Sequence, residues 1–142
     1  MVRIAFVLYI AAMAYFLFFS ERYGRGSLSN EYRYNLQLFS EIRRYIVYRD
    51  RLGAEYFIVN IFGNVFAFAP FGFMIPIVNA KYNRFRDVLV LSFLLTLTIE
   101  SMQLLLKVGI FDVDDLLMNT LGGLIGYGIF RVCRKIFHYR MG

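Results

Sequence analysis

"GIFDVDDLLMNTLGGLIGYGIFR", residues 109–131, packs three acids, Asp112, Asp114 and Asp115, into four positions and then turns to oil. From about Val113 to Phe130 the chain is mostly apolar, and Arg131, Arg134 and Lys135 close the run. A helix needs ~20 such residues to cross the hydrocarbon core of a bilayer, so the stretch reads as a transmembrane span with basic residues at one end. Acids at its entrance, and Asn119, Gly122 and Gly123 inside it, are not what a helix surrounded by lipid requires. Their purpose depends on what the other segments bring beside them.

The composition of the remainder supports the membrane assignment. Of 142 residues, 59% are hydrophobic, 19% aromatic and only 18% charged, more apolar surface than a soluble domain of this length can hide. The net charge of +6 is then better explained by basic residues flanking spans than by nucleic-acid binding. With one cysteine, Cys133, no internal disulfide forms, and Cys133 with His138 is too few ligands for a zinc site.

Three further spans are expected, at about residues 4–19, 56–78 and 88–106, with 113–130 as the fourth. The first competes with a signal peptide whose cleavage motif would be Ala12-Met13-Ala14, but Tyr15 to Phe19 carries the apolar run past that point. In the second, Pro70 and Pro76 each remove a backbone donor and predict a kink or break. The loop 21–55 is polar. Within it Leu38, Phe39, Ile42, Tyr45 and Ile46 recur at helical spacing between Glu41, Arg43, Arg44 and Arg49, which predicts an amphipathic helix lying on the membrane surface or on the bundle. The expected fold is an all-α membrane protein: one domain, residues 1–142, four transmembrane helices in a bundle, and a surface-lying amphipathic helix in the first loop.

Four crossings place both ends of the chain on one side. Lysine and arginine divide evenly, eight on each side, so total charge does not orient the chain. Lys81, Arg84 and Arg86 nevertheless sit close against two spans, whereas the arginines of the long loop are spread out, which favours cytoplasmic termini. In either orientation Asn60 and Asn64 begin span two, Glu100 and Gln103 end span three, and Asp112, Asp114, Asp115 and Asn119 begin span four. All of these lie at the same membrane face.

The spacing of these residues is helical as well. Asn60 and Asn64, Thr96, Glu100 and Gln103, and Asp115 and Asn119 form one stripe per helix. A carboxylate at such depth costs roughly 2–3 kcal/mol or more unless paired, so the stripes are expected to face one another around a polar pocket, facing outward if the termini are cytoplasmic. Plainer roles compete. Asp112 or Asp115 at a helix N-terminus serves as a cap, the asparagines as interhelical glue, and the glycines as packing residues. Glu100 is hardest to reduce to glue.

Three motifs carry a family resemblance: "NIFGNVFAFAPFGF" from Asn60, "IESMQ" from Ile99 and "FDVDDLLMNTLGG" from Phe111. Together they resemble the VanZ-like family of bacterial membrane proteins, at Asn60, Asn64, Pro70, Gly72, Glu100, Gln103, Asp112, Asp114, Asp115, Asn119 and Gly122. "NLQLFSEI" from Asn35 looks like that family's loop before span two, without the proline often seen there. The resemblance implies an accessory role in tolerance to teicoplanin-type glycopeptides, through lowered binding of the drug at the cell surface. It supplies no catalytic residues.

Two classes of function follow. In the first, Asn60, Asn64, Glu100, Gln103, Asp112, Asp114, Asp115 and Asn119 form a binding pocket for an envelope lipid, a glycopeptide or a partner membrane protein, with the oligomeric state open. In the second, the chain is an enzyme acting on a lipid headgroup or lipid-linked cell-wall precursor. Glu100 and Asp115 are then acid and base, or Asp112, Asp114 and Asp115 hold Mg²⁺ or Ca²⁺. Transport and a purely structural role are the remaining expectations.

Overall fold

The computed structural model describes residues 1–19 and 31–140, and for parts of 41–60 and for 138–140 the backbone alone. Helix α1 covers Val2–Phe19, α2 Ser40–Val78, α3 Phe85–Leu105 and α4 Val113–Arg140. Each contains a segment long and apolar enough to cross a membrane: Val2–Phe19, Ile61–Val78, Phe85–Leu105 and Val113–Phe137. All four expected spans are therefore helices, and α4 runs on beyond its span through the basic residues that follow it.

The interior of the bundle is polar and its exterior apolar. Ser92, Thr96, Glu100, Gln103 and Asn119 are buried, while Ile4, Leu8, Phe66, Phe93 and Leu105 are exposed. This inversion of the soluble pattern is what a lipid solvent produces. Apolar side chains lose nothing by facing acyl chains, and polar ones must find partners inside. The buried apolar core is correspondingly small, with Phe68, Met13 and Ile99 at its centre.

Helices α2 and α4 run parallel and pack hardest against each other. A Cβ on Gly122 would lie 2.9 Å from Val65 Cα, and one on Gly126 would strike the Ala69 carbonyl. Gly122 and Gly126, four residues apart, thus form a groove that takes the α2 backbone itself. Helix α3 runs antiparallel to α4, with Ser92 against Gly123, and α1 antiparallel to α2. Tyr9 Oη, deep in α1, donates to Ala67 O. This bond ties α1 to α2. Of the kink or break expected at the prolines, no break occurs: α2 continues through both to Val78.

The amphipathic stretch of the first loop is helical, and it forms the start of α2 rather than a separate helix. Ser40 and Asn64 are hydrogen-bonded to the adjacent residues Asp114 and Asp115. A straight helix would hold those two positions about 36 Å apart. Helix α2 therefore bends sharply between them, and its first turns cross the polar end of the bundle. Arg43, Arg44, Ile46 and Val47 are exposed there.

A two-residue parallel ladder, unexpected from the sequence, ties the loops together. Strand β1, Tyr34–Asn35, pairs with β2, Phe111–Asp112, in the register Tyr34 to Phe111 and Asn35 to Asp112. Helix α3 hands the chain to β2 through a Schellman turn. Val108 N donates to Gln103 O and Lys107 N to Leu104 O, both at 3.1 Å. Lys107 takes the left-handed position at φ 56°, where glycine is usual.

Candidate functional site

At the end of the bundle where α1 finishes and α4 begins, three interior layers stack four residues apart along α3. Ser92 lies against Gly123. Asn119 Nδ2 donates to Thr96 Oγ1 at 2.8 Å. Uppermost, the Asp112 backbone N–H donates to Glu100 Oε2 at 3.2 Å. Glu100 is 2% exposed, so a carboxyl group from α3 satisfies one of the orphan donors at the entrance to α4. The helical stripe read from Thr96 to Glu100 thus points inward.

The three acids divide into distinct roles. Asp112 is the N-cap of α4: its Oδ1 accepts from Asp114 N at 2.8 Å, two residues on. Its other oxygen accepts from Asn35 Nδ2 at 3.0 Å. Asp114 faces the first loop, accepting from Phe39 N at 2.5 Å and from Ser40 Oγ at 3.2 Å. Phe39 sits at φ 61°, a left-handed conformation at the entrance to α2, where its N–H meets that carboxylate. The two residues together moor the segment from Asn35 to Ser40 as a strap across the polar end. Asn35 completes it, with Oδ1 accepting from Gln37 N at 3.2 Å.

Asp115 is placed differently. Asn64 Nδ2 donates to Asp115 Oδ1, and both residues line a cavity of about 400 Å³ between α1, α2 and α4. The other described lining residues are apolar or weakly polar, Tyr9, Met13, Leu17 and Phe66 among them. Phe66 and Phe16, at its edge, are 69% and 59% exposed, so the cavity opens sideways between α1 and α2. A carboxylate and an amide in such a wall can hold the polar part of a molecule whose remainder is apolar.

The other expected site residues whose side chains are described stand apart from this cavity. Gln103, fully buried, donates from Nε2 to Leu17 O at 2.8 Å, taking up one of the last carbonyls of α1. Gly109 lies against its side chain. Asn119 faces Thr96, and Glu100 faces the cap of α4. Asn60 lies in α2, but its side chain is outside the described residues. The expected three-carboxylate metal set is not assembled: among the described residues no group of three His, Cys, Asp or Glu side chains converges. Asp112 and Asp114 are turned to the strap and Asp115 to Asn64, because successive residues at a helix start point in different directions. The residues missed in the sequence are Tyr9, Asn35 and Ser40. Tyr9's hydroxyl in mid-span was the available signal, since a buried phenol needs an acceptor.

A family model describes this arrangement of segments. VanZ/LLP1 matches residues 6–134, from within α1 to within α4, with the strap, α2 and α3 between. The chain belongs to the VanZ/LLP1 family. It is also 33% identical over 72 residues to Protein VanZ of Enterococcus faecium, a match covering 51% of this chain and 44% of that protein. The matched region thus spans less than half the length of that relative. No solved structure matches the chain. Membership of the VanZ/LLP1 family and four helices fit to cross a bilayer make this a multi-pass membrane protein.

Proposed function

We propose that this VanZ/LLP1 protein acts in the bacterial cell envelope by binding an amphiphile, a membrane lipid or a glycopeptide, in the cavity that carries Asp115 and Asn64. Tolerance to teicoplanin-type drugs is the resulting phenotype, and the cavity lies near the outer face with both termini in the cytoplasm. One observation carries the reading. A hydrogen-bonded carboxylate–amide pair lines a cavity whose other described lining residues are mostly apolar and which opens sideways between α1 and α2. A polar pair at that depth is costly unless it serves packing or a ligand, and this pair, which joins α2 to α4, also lines the cavity. The enzymatic alternative, with Glu100 and Asp115 as acid and base, has less support. Glu100 is not among the described residues lining the cavity and is engaged with the α4 cap.

The test compares labelled teicoplanin binding to cells expressing the wild type, Asp115→Asn, or neither. Asp115→Asn keeps an acceptor for Asn64 and removes the charge. Wild-type cells are expected to bind less drug than control cells, and Asp115→Asn cells to bind the control amount at equal membrane abundance. Equal binding by wild-type and control cells would overturn the reading. So would full shielding by Asp115→Asn.

A further inference from the structure

The opposite end of the bundle holds a second cavity, which the function proposed above does not use. Asn83, from the α2–α3 connection, and Arg131, Val132, Arg134 and Lys135 of α4 line a cleft of about 660 Å³. Arg131, Arg134 and Lys135 stand at i, i+3 and i+4, so helical geometry presents their three charges together. No carboxylate is among the described residues lining the cleft.

One of the three cations is held in place. Tyr127 Oη donates to Asn83 O at 2.8 Å, and Arg131 Nη1 donates to Tyr127 Oη at 3.4 Å. The guanidinium also lies 6.0 Å from the Tyr127 ring centroid. This fixes α4 to the connection and sets Arg131 at the mouth of the cleft, while Arg134 and Lys135 extend from an exposed helix surface. Three cations around one concave surface, with no carboxylate among its described lining residues, recognise a phosphate. Arginine supplies paired N–H donors and lysine a mobile point charge.

The surroundings identify the carrier of that phosphate. Val132 belongs to the cleft wall, and Ile136, one turn further on, is exposed beside Phe137. The cleft thus lies where the apolar surface of α4 gives way to charge, at headgroup depth, with apolar side chains available to acyl chains. We propose that this cleft is a binding site for the phosphate headgroup of an anionic phospholipid, held by Arg131, Arg134 and Lys135. The site is separate from the Asp115 cavity and stands whether or not that cavity binds an amphiphile.

The experiment uses the purified full chain in neutral detergent. Short-chain phosphatidylglycerol, short-chain phosphatidylcholine and inorganic phosphate are each titrated and binding is read by native mass spectrometry. Phosphatidylglycerol is expected to bind at least about tenfold more tightly than phosphatidylcholine, as several cations near one headgroup require. The pair Arg134→Gln with Lys135→Gln should abolish the preference, and Arg134→Lys with Lys135→Arg should keep most of it. Arg84→Gln with Arg86→Gln removes the same charge from the same end of the bundle outside the cleft and should leave the preference intact. Equal loss in that control pair would overturn the site in favour of general surface charge. Inorganic phosphate binding as tightly as the lipid would overturn the lipid assignment, and an unchanged preference in the glutamine pair would overturn the proposal altogether.

Discussion

Glu100 shows how much one buried carboxyl group can organise. It reaches from α3 to the backbone N–H of Asp112, whose side chain caps α4 and whose second oxygen holds Asn35 of the strap. Removing the group leaves a buried backbone donor unpaired, which costs ~1–3 kcal/mol. Glu100→Ala is therefore expected to lower the melting temperature in detergent and reduce membrane abundance. Glu100→Gln, which keeps a side-chain oxygen as acceptor, should stay close to wild type. Matching losses in the two variants would mean that the charge, not the accepted hydrogen bond, is what α4 requires. Asp112, Asp114 and Asp115 could not be sorted in the sequence, where Asp112 and Asp115 fit a cap as well as a pocket. Their roles separate only when the strap is seen to engage two of them and Asn64 the third.

The pairing of α2 with α4 depends on surface rather than polarity. Gly126 meets the Ala69 carbonyl and Gly122 the backbone at Val65, whereas Gly128, on the same helix, has nothing within 4 Å of where its Cβ would lie. Opposite outcomes follow for similar changes. Gly126→Val forces the two helices apart, an overpacking that costs ~1–3 kcal/mol or more, and is expected to lose folded protein in a detergent melting assay. Gly128→Ala should hold or raise the melting temperature, because alanine is a better helix former by ~1 kcal/mol. Equal effects at both positions would remove the close approach as the reason for the glycines. The helices themselves were legible from apolar length alone. The sharp bend in α2 was not, because it follows from Ser40 and Asn64 both docking on the start of α4, a contact between segments far apart in the chain. The continuity of α2 past Pro70 was equally hidden, since neighbouring helices decide whether a proline ends a membrane helix.

Taken whole, the molecule has two unlike ends: a strapped, acid-rich one where α1 finishes, and a basic one where α4 leaves the bundle. Four crossings fix the two ends of the chain on the same side, and the proposed orientation puts that side in the cytoplasm. In a Cys133→Ser background, a membrane-impermeant maleimide applied to intact cells is expected to label Gln37→Cys on the strap and to spare Asn79→Cys in the α2–α3 connection. Both positions are exposed, so the contrast reports sidedness rather than burial. The reverse pattern would invert the molecule in the membrane and turn the Asp115 cavity towards the cytoplasm.

Membrane residence, the positions of the four spans, and the gathering of the buried acids and amides at one membrane face can all be read from the sequence. Those properties follow from local composition, helical period and the order of crossings, which require no knowledge of neighbours. The tertiary structure alone decided that Asp112 and Asp114 moor a strap, that Asp115 and Asn64 border a cavity, and that Arg131, Arg134 and Lys135 share a cleft with Asn83. A hydrogen bond or a cavity wall belongs to two segments at once, and the distance between segments far apart in the chain is set by packing, which no single stretch of residues encodes.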